Sequence, residues 1–261
     1  MARRWLLLAC MPLMACGDAA DTGPATAPDA SLIEDGSTPD LDSGPGPADA
    51  GSDAKPEAGD GGAVVVLTED FENPDLSGKW EFLNVCGGCT AAQDMGTFLT
   101  KTPALAAMNT AFAHVRTTVK GAPTRVRLSF DATFPSVTLD KGSLGIATVD
   151  VSTSHFFSLY LRDLDETTPT VSLDEQGGPS PKRHILSGLP PANTKTRVSI
   201  DVDLGGGTAS VAWGTNVVLA NDPIGKTVAA DPTIRVGLMY VFGPQYPFEA
   251  RLDDVLLEYF Y

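Results

Sequence analysis

Cys86-Gly87-Gly88-Cys89 places two thiols within one short turn. Three chemistries use that spacing. A redox pair needs a helix N-terminus to lower one thiol pKa, and Gly-Gly among strand-like runs supplies none. Zinc needs two further ligands, and neither a second C-x-x-C nor a nearby His pair occurs. A loop disulfide needs nothing more, and for so small a loop its gain is about 2 kcal/mol. Cys86 and Cys89 are therefore expected as a loop disulfide.

The remaining groups able to do chemistry are scattered. His155 is in phase with Phe157, Leu159 and Leu161, which predicts a core-edge position. His114 and His184 fall near strand ends without a carboxylate close in sequence. No G-x-S-x-G occurs to support a Ser-His-Asp set, and no Gly-rich phosphate loop is present. Asp163, Asp165 and Glu166, and then Asp174 and Glu175, are expected at solvated strand ends. Phe156, Tyr160 and Arg162 share the strand face opposite His155. An aromatic platform with an arginine beside it is a surface on which a sugar ring stacks. Tyr246-Pro247-Phe248, before the last strand, is a second exposed-aromatic candidate. The alternative for both is packing under loops or between sheets. Trp213 alternates with Ala209 and Val211 and is expected in the core.

The elements that must carry these residues are strands. In 124–134, Val126, Leu128, Phe130, Ala132 and Phe134 alternate with Arg125, Arg127, Ser129, Asp131 and Thr133. Runs 195–204 and 233–242 alternate in the same way. Period-two patterning predicts antiparallel strands with one buried face. Further strands are expected near 64–68, 96–100, 110–119, 143–151, 154–162, 169–174, 183–187, 208–213, 216–220 and 249–260. Leu204-Gly205-Gly206-Gly207-Thr208 reads as a hairpin turn. No amphipathic run is long enough for a substantial helix. The expected fold is all-β, an antiparallel two-sheet sandwich of the jelly-roll kind.

Charge divides the chain. Residues 17–62 hold nine Asp and two Glu against one Lys, a net −10 of the formal −15. They are Asp, Ala, Gly, Pro, Ser and Thr with almost nothing else, so they cannot bury enough surface to offset ordering entropy. The segment is expected as a disordered tether with an end-to-end distance of roughly 35–40 Å. Residues 63–261 form the expected β-sandwich domain. The acidic balance argues against nucleic acid as a partner.

Residues 1–16 have the build of an export signal: Arg3 and Arg4, then an apolar stretch from Trp5 to Met14 that is too short to span a bilayer. Leu13-Met14-Ala15-Cys16 resembles the lipobox of bacterial lipoproteins, with Met14 departing from the small or β-branched residue usual there. The resemblance implies cleavage before Cys16 and lipid on its sulfur. The expected location is the bacterial cell envelope, at the outer membrane or cell surface, with the membrane as a partner through the anchor.

The opening Leu67-Thr68-Glu69-Asp70-Phe71-Glu72 with Trp80, the hairpin 198–218 and the close Arg251-Leu252-Asp253-Asp254-Val255-Leu256-Leu257 resemble concanavalin A-like, laminin-G-like jelly rolls. In those modules carboxylates near both ends of the domain often hold a structural Ca²⁺. The resemblance implies that Glu69, Asp70 or Glu72 meets Asp253 and Asp254, whose break in alternation also predicts a β-bulge. No other cofactor is expected. Laminarinase-type enzymes of the resembled fold carry E-x-D-x-x-E on one strand, and that spacing is absent here. The expectation is therefore a non-catalytic, lectin-like domain that binds a polysaccharide or an envelope protein. The alternatives are a structural or adhesive envelope protein, and a diverged glycoside hydrolase or lyase.

Overall fold

Strict alternation in the sequence becomes strict alternation of burial. Strand β12 (Thr196–Asp203) points Val198, Ile200 and Val202 inward and Arg197, Ser199 and Asp201 outward. The computed structural model describes residues 58–59, 62–73, 76, 78–104, 111–134, 143–162, 170–179, 181–242 and 247–261. Cys16, most of the acidic tether, Tyr246, Asp163, Asp165 and Glu166 lie outside the described residues. Every element among the described residues is a strand.

One antiparallel sheet has nine strands. Its path runs β1 (Ala58–Gly59), β2 (Ala63–Glu69), β16 (Phe248–Phe260), β7 (Arg125–Thr133), β12, β13 (Thr208–Trp213) and β14 (Asn216–Pro223). Off that path, β5 (Thr97–Thr102) pairs with the first half of β16, and β4 (Thr90–Asp94) pairs with β5. The second sheet has seven strands in the order β11 (Lys182–Ile185), β10 (Thr170–Gln176), β9 (Phe156–Arg162), β8 (Ser143–Asp150), β15 (Thr233–Phe242), β6 (Ala111–Thr118) and β3 (Glu81–Asn84). The inner faces meet in one core that includes Phe71, Phe98, Phe130, Phe134, Phe157 and Tyr259, all fully buried. Trp213 joins it and donates its Nε1–H to the Gly188 carbonyl.

Each run expected as a strand is one, within a few residues at either end. The two antiparallel sheets are as the alternation predicts. Three short strands escape the pattern. β3 and β4 flank the Cys86–Cys89 turn, and β1 extends the nine-stranded sheet into the stretch assigned to the tether. The first and last long strands, β2 and β16, are neighbours. The bulge at Asp253 and Asp254 is present as a register shift between Asp253 and Leu256, with Asp254 in the left-handed region at φ +47°.

Candidate functional site

The register of the seven-stranded sheet aligns one polar residue from each strand. Reading across from β3, the partners are Glu81, Arg116, Arg235, Thr148, Ser158, Asp174 and Arg183. Their strand neighbours Val115, Val236, Ala147, Leu159 and Leu173 are core residues, so the row lies on the outer face. Six strand spacings make it about 29 Å long.

The row opens to solvent toward β3. There two adjoining hollows of about 600 and 560 Å³ share Thr118, Asp150, Thr233 and Arg235. Glu81 and Arg116 line the first, and Phe156, Asp231 and Lys120 the second. Arg116 donates two parallel hydrogen bonds to Glu81, at 2.6 and 2.9 Å. Such a fork fixes both side chains more firmly than a point contact. Arg235 donates to Asp150 Oδ2 at 2.5 Å. Lys120 and the Gly121 N–H both donate to Asp231, at 2.8 and 3.0 Å.

The two aspartates are pushed in opposite directions. Burial raises the Asp150 carboxyl above the usual carboxylate range, outweighing the pull of Arg235. Its Oδ1 is buried with no hydrogen-bond partner. Asp231 is lowered by the Lys120 ammonium and the Gly121 N–H. His114, on the same outer face, is lowered to about 4 by burial and then by the charge of Arg235. A neutral imidazole and a carboxyl with a spare acceptor thus stand close to two guanidiniums.

The expected aromatic platform is only partly formed. Phe156 is half-buried and lines the second hollow. Tyr160 does share its face, but only 9% of it is exposed, because the ring lies across Gly145. Arg162 occupies the expected strand position, paired with Ser143 and Thr170. Phe248 is not an exposed loop aromatic: it starts β16 pointing inward and is 4% exposed.

The expected Ca²⁺ donors meet in space without forming a metal site. Glu69, Asp70 and Asp254 line one hollow of about 520 Å³. The Glu69 carboxylate is already taken by the Phe71 N–H, the Trp80 Nε1–H and the Lys79 ammonium, each at 3.0 Å. Asp253 is held by Lys195 at 2.7 Å. Glu72 turns toward Gly96. Among the described residues no three His, Cys, Asp or Glu converge as metal ligands. Lysines stand where the cation would, so the set does not fit Ca²⁺.

Cys86 and Cys89 sit at disulfide-bonding distance, with Cα atoms 5.2 Å apart. Asp174 and Glu175 are not solvated strand ends: both are buried. Glu175 points inward and pairs with His155 at 3.0 Å, while His184 pairs with Asp222 across the sheets. The free atoms Glu175 Oε2 and His184 Nε2 face each other at 3.9 Å. Asp150, Arg116, Arg235, Glu81 and Asp231 were missed by the sequence reading. Alternation in 110–119 and 233–242 places the arginines on an outer face, but their partners come from distant strands.

The outer face of the nine-stranded sheet has a shallower trough of about 410 Å³ that includes Val217. Its charged side chains are already tied together, with Arg127 bonded to Asp201 and 3.6 Å from Glu258.

No family model matches the chain, and no curated protein matches its sequence. Solved structures do match its shape. The CBM2 module of the evolved Dit of Lactobacillus casei BL23 phage J-1 aligns with a TM-score of 0.58 at 11% identity, covering 76% of this chain and 96% of that one. A mutant of SCLam, a non-specific endo-β-1,3(4)-glucanase of family GH16, aligns with a TM-score of 0.53 at 12% identity, over 78% and 97%. A GlcNAcα1-4Gal-releasing endo-β-galactosidase from Clostridium perfringens gives 0.53 at 8%, over 77% and 64%. At these identities the likeness shows the jelly-roll fold. It also corrects the expectation of a non-catalytic domain. Two of these structures are glycan-cleaving enzymes on the same two-sheet frame, so a missing E-x-D-x-x-E does not exclude turnover.

Proposed function

We propose that this β-sandwich engages a carbohydrate chain on the outer face of its seven-stranded sheet. The observation that carries this reading is the pair of adjoining hollows crossing β6, β15, β8 and β9. Sugar hydroxyls donate and accept, and the fixed ion pairs Glu81–Arg116 and Asp150–Arg235 offer both functions side by side. Phe156 supplies an apolar surface for a ring face. The folds matched include a carbohydrate-binding module, which is consistent with the same use. The test is a glycan-panel binding screen on the full chain. Saturable binding lost in Arg235→Ala supports the reading, and no binding to any glycan refutes it.

A second reading, turnover of the bound chain, rests on a separate observation. Asp150 and Asp231 line one hollow with their carboxyls shifted apart, one raised and one lowered. Opposed carboxyls are the acid and base arrangement that glycan cleavage uses. Here Asp150 and Asp231 are the two carboxyls that would flank the scissile bond. Release of reducing ends that stops in both Asp150→Asn and Asp231→Asn supports it, and release unchanged in either variant refutes it.

The same proposal holds that the chain is exported and anchored to a bacterial envelope through lipid on Cys16, with residues 17–62 as a spacer. Metabolic labelling with a fatty acid, lost in Cys16→Ser, tests the anchor.

A further inference from the structure

We infer that the hollow selects a neutral glycan and turns away polyanionic ones, an inference that rests on the carbohydrate reading above. It follows from the pairing of charge along the floor. Four cations reach the two hollows: Lys79, Arg116, Arg235 and Lys120. Each is held by its own carboxylate. Lys79 meets Glu69 at 3.0 Å, Arg116 meets Glu81 at 2.6 Å, Arg235 meets Asp150 at 2.5 Å and Lys120 meets Asp231 at 2.8 Å. Three of these carboxylates line the hollows themselves and Glu69 reaches Lys79 from the adjoining one, so every cation there is paired.

A uronate or sulfate group binds most strongly to a free guanidinium or ammonium. To find one here it must displace a carboxylate already in place, or lie against that carboxylate. Both cost free energy, and like charges brought together in a partly shielded hollow repel more than in open water. Residues 63–261 as a whole are negative, 22 acidic against 15 basic side chains, so the long-range field opposes a polyanion. A neutral chain meets no such barrier. Its hydroxyls hydrogen-bond to the paired groups without breaking them. The carboxylates therefore set specificity by exclusion: they reject the wrong ligand more than they attract the right one.

This arrangement makes a gain of function the decisive test. Glu81 and Asp231 are half-exposed, so amide substitutions there leave the core alone. Glu81→Gln frees Arg116, and Asp231→Asn frees Lys120. The full chain and both variants are titrated with a soluble neutral β-1,3-glucan and with alginate, at about 50 and about 300 mM salt. The wild type is expected to bind the neutral glucan with little salt dependence and alginate at least tenfold more weakly. Each variant should gain about fivefold for alginate at low salt and lose the gain at high salt. The double variant Glu81→Gln/Arg116→Gln restores neutrality and should reject alginate again.

Alginate binding by the wild type that weakens with salt would overturn the inference and leave the carbohydrate reading standing. So would neutral-glucan binding with no gain for alginate in either variant. Absence of binding to both polymers in every variant would overturn the carbohydrate reading and the inference with it.

Discussion

Trp80 Nε1 donates a hydrogen bond to the buried carboxylate of Glu69 at 3.0 Å, joining the strand that opens the nine-stranded sheet to the segment that leads into the edge of the seven-stranded one. Glu69 sits at the end of β2, is 6% exposed, and also accepts from the Phe71 N–H and pairs with Lys79. Its position was legible from the opening motif, but its occupation by three donors was not.

Glu69→Ala leaves the Trp80 and Phe71 N–H groups buried and unpaired. A loss of about 3 kcal/mol is expected in denaturant unfolding. Because lysine rather than a metal neutralises this carboxylate, EDTA should leave the wild-type melting temperature unchanged. A fall on chelation that Ca²⁺ reverses would show that a cation belongs there after all.

The seam where β11 meets β14 makes a second prediction. Glu175 is fully buried and pairs with His155, and His184 links to Asp222 on the other sheet. Glu175→Ala strands His155 and removes the charge facing His184, at a cost of about 3 kcal/mol. A loss below about 1 kcal/mol by chemical denaturation would mean that solvent reaches the site in place of the carboxylate.

His114 gives the stability a pH dependence with a definite sign. Burial, then Arg235, lowers it from 6.5 to about 4. Between those values the folded state binds fewer protons than the unfolded chain, so stability rises with pH. The contribution is complete above 6.5 and is lost as pH falls toward 4, by about 3 kcal/mol. Unfolding free energies measured at neutral pH and near pH 4 should converge by that amount in His114→Gln relative to the wild type. An equal pH slope in both proteins would contradict the assignment.

Cys86 and Cys89 bracket the crossover from β3 in one sheet to β4 in the other. Peptide mapping is expected to find Cys86 and Cys89 protected from alkylation until reduction and both labelled after it. Reduction should cost about 2 kcal/mol, the small figure reflecting the short loop. Free thiols at Cys86 and Cys89 before reduction would exclude the bond.

Much of the fold could be read in one dimension because the burial period of a strand is local. Val198, Ile200 and Val202 announce their inner face within seven residues. β3, with Glu-Phe-Leu-Asn, and β4, with Thr-Ala-Ala-Gln-Asp, were missed because edge position relieves them of any clear alternation. The site was far less legible. Which residue faces Arg235 depends on register, and its neighbours in space are Arg116, 119 positions earlier, and Thr148. Phe156 and Tyr160 were placed on the correct face, yet period alone does not say which of the two is covered. His184 finds Asp222 at a separation of 38 residues, a pairing no local pattern reveals.

The most direct test of the central claim locates the ligand on one face of the sandwich. Isothermal titration of the full chain with a soluble β-glucan would compare Phe156→Ala, in the hollow of the seven-stranded sheet, with Val217→Asp, in the trough of the nine-stranded one. The account predicts that Phe156→Ala weakens binding about tenfold and that Val217→Asp changes it less than about twofold. Loss of binding in Val217→Asp with Phe156→Ala unaffected would place the ligand on the opposite sheet and contradict the account.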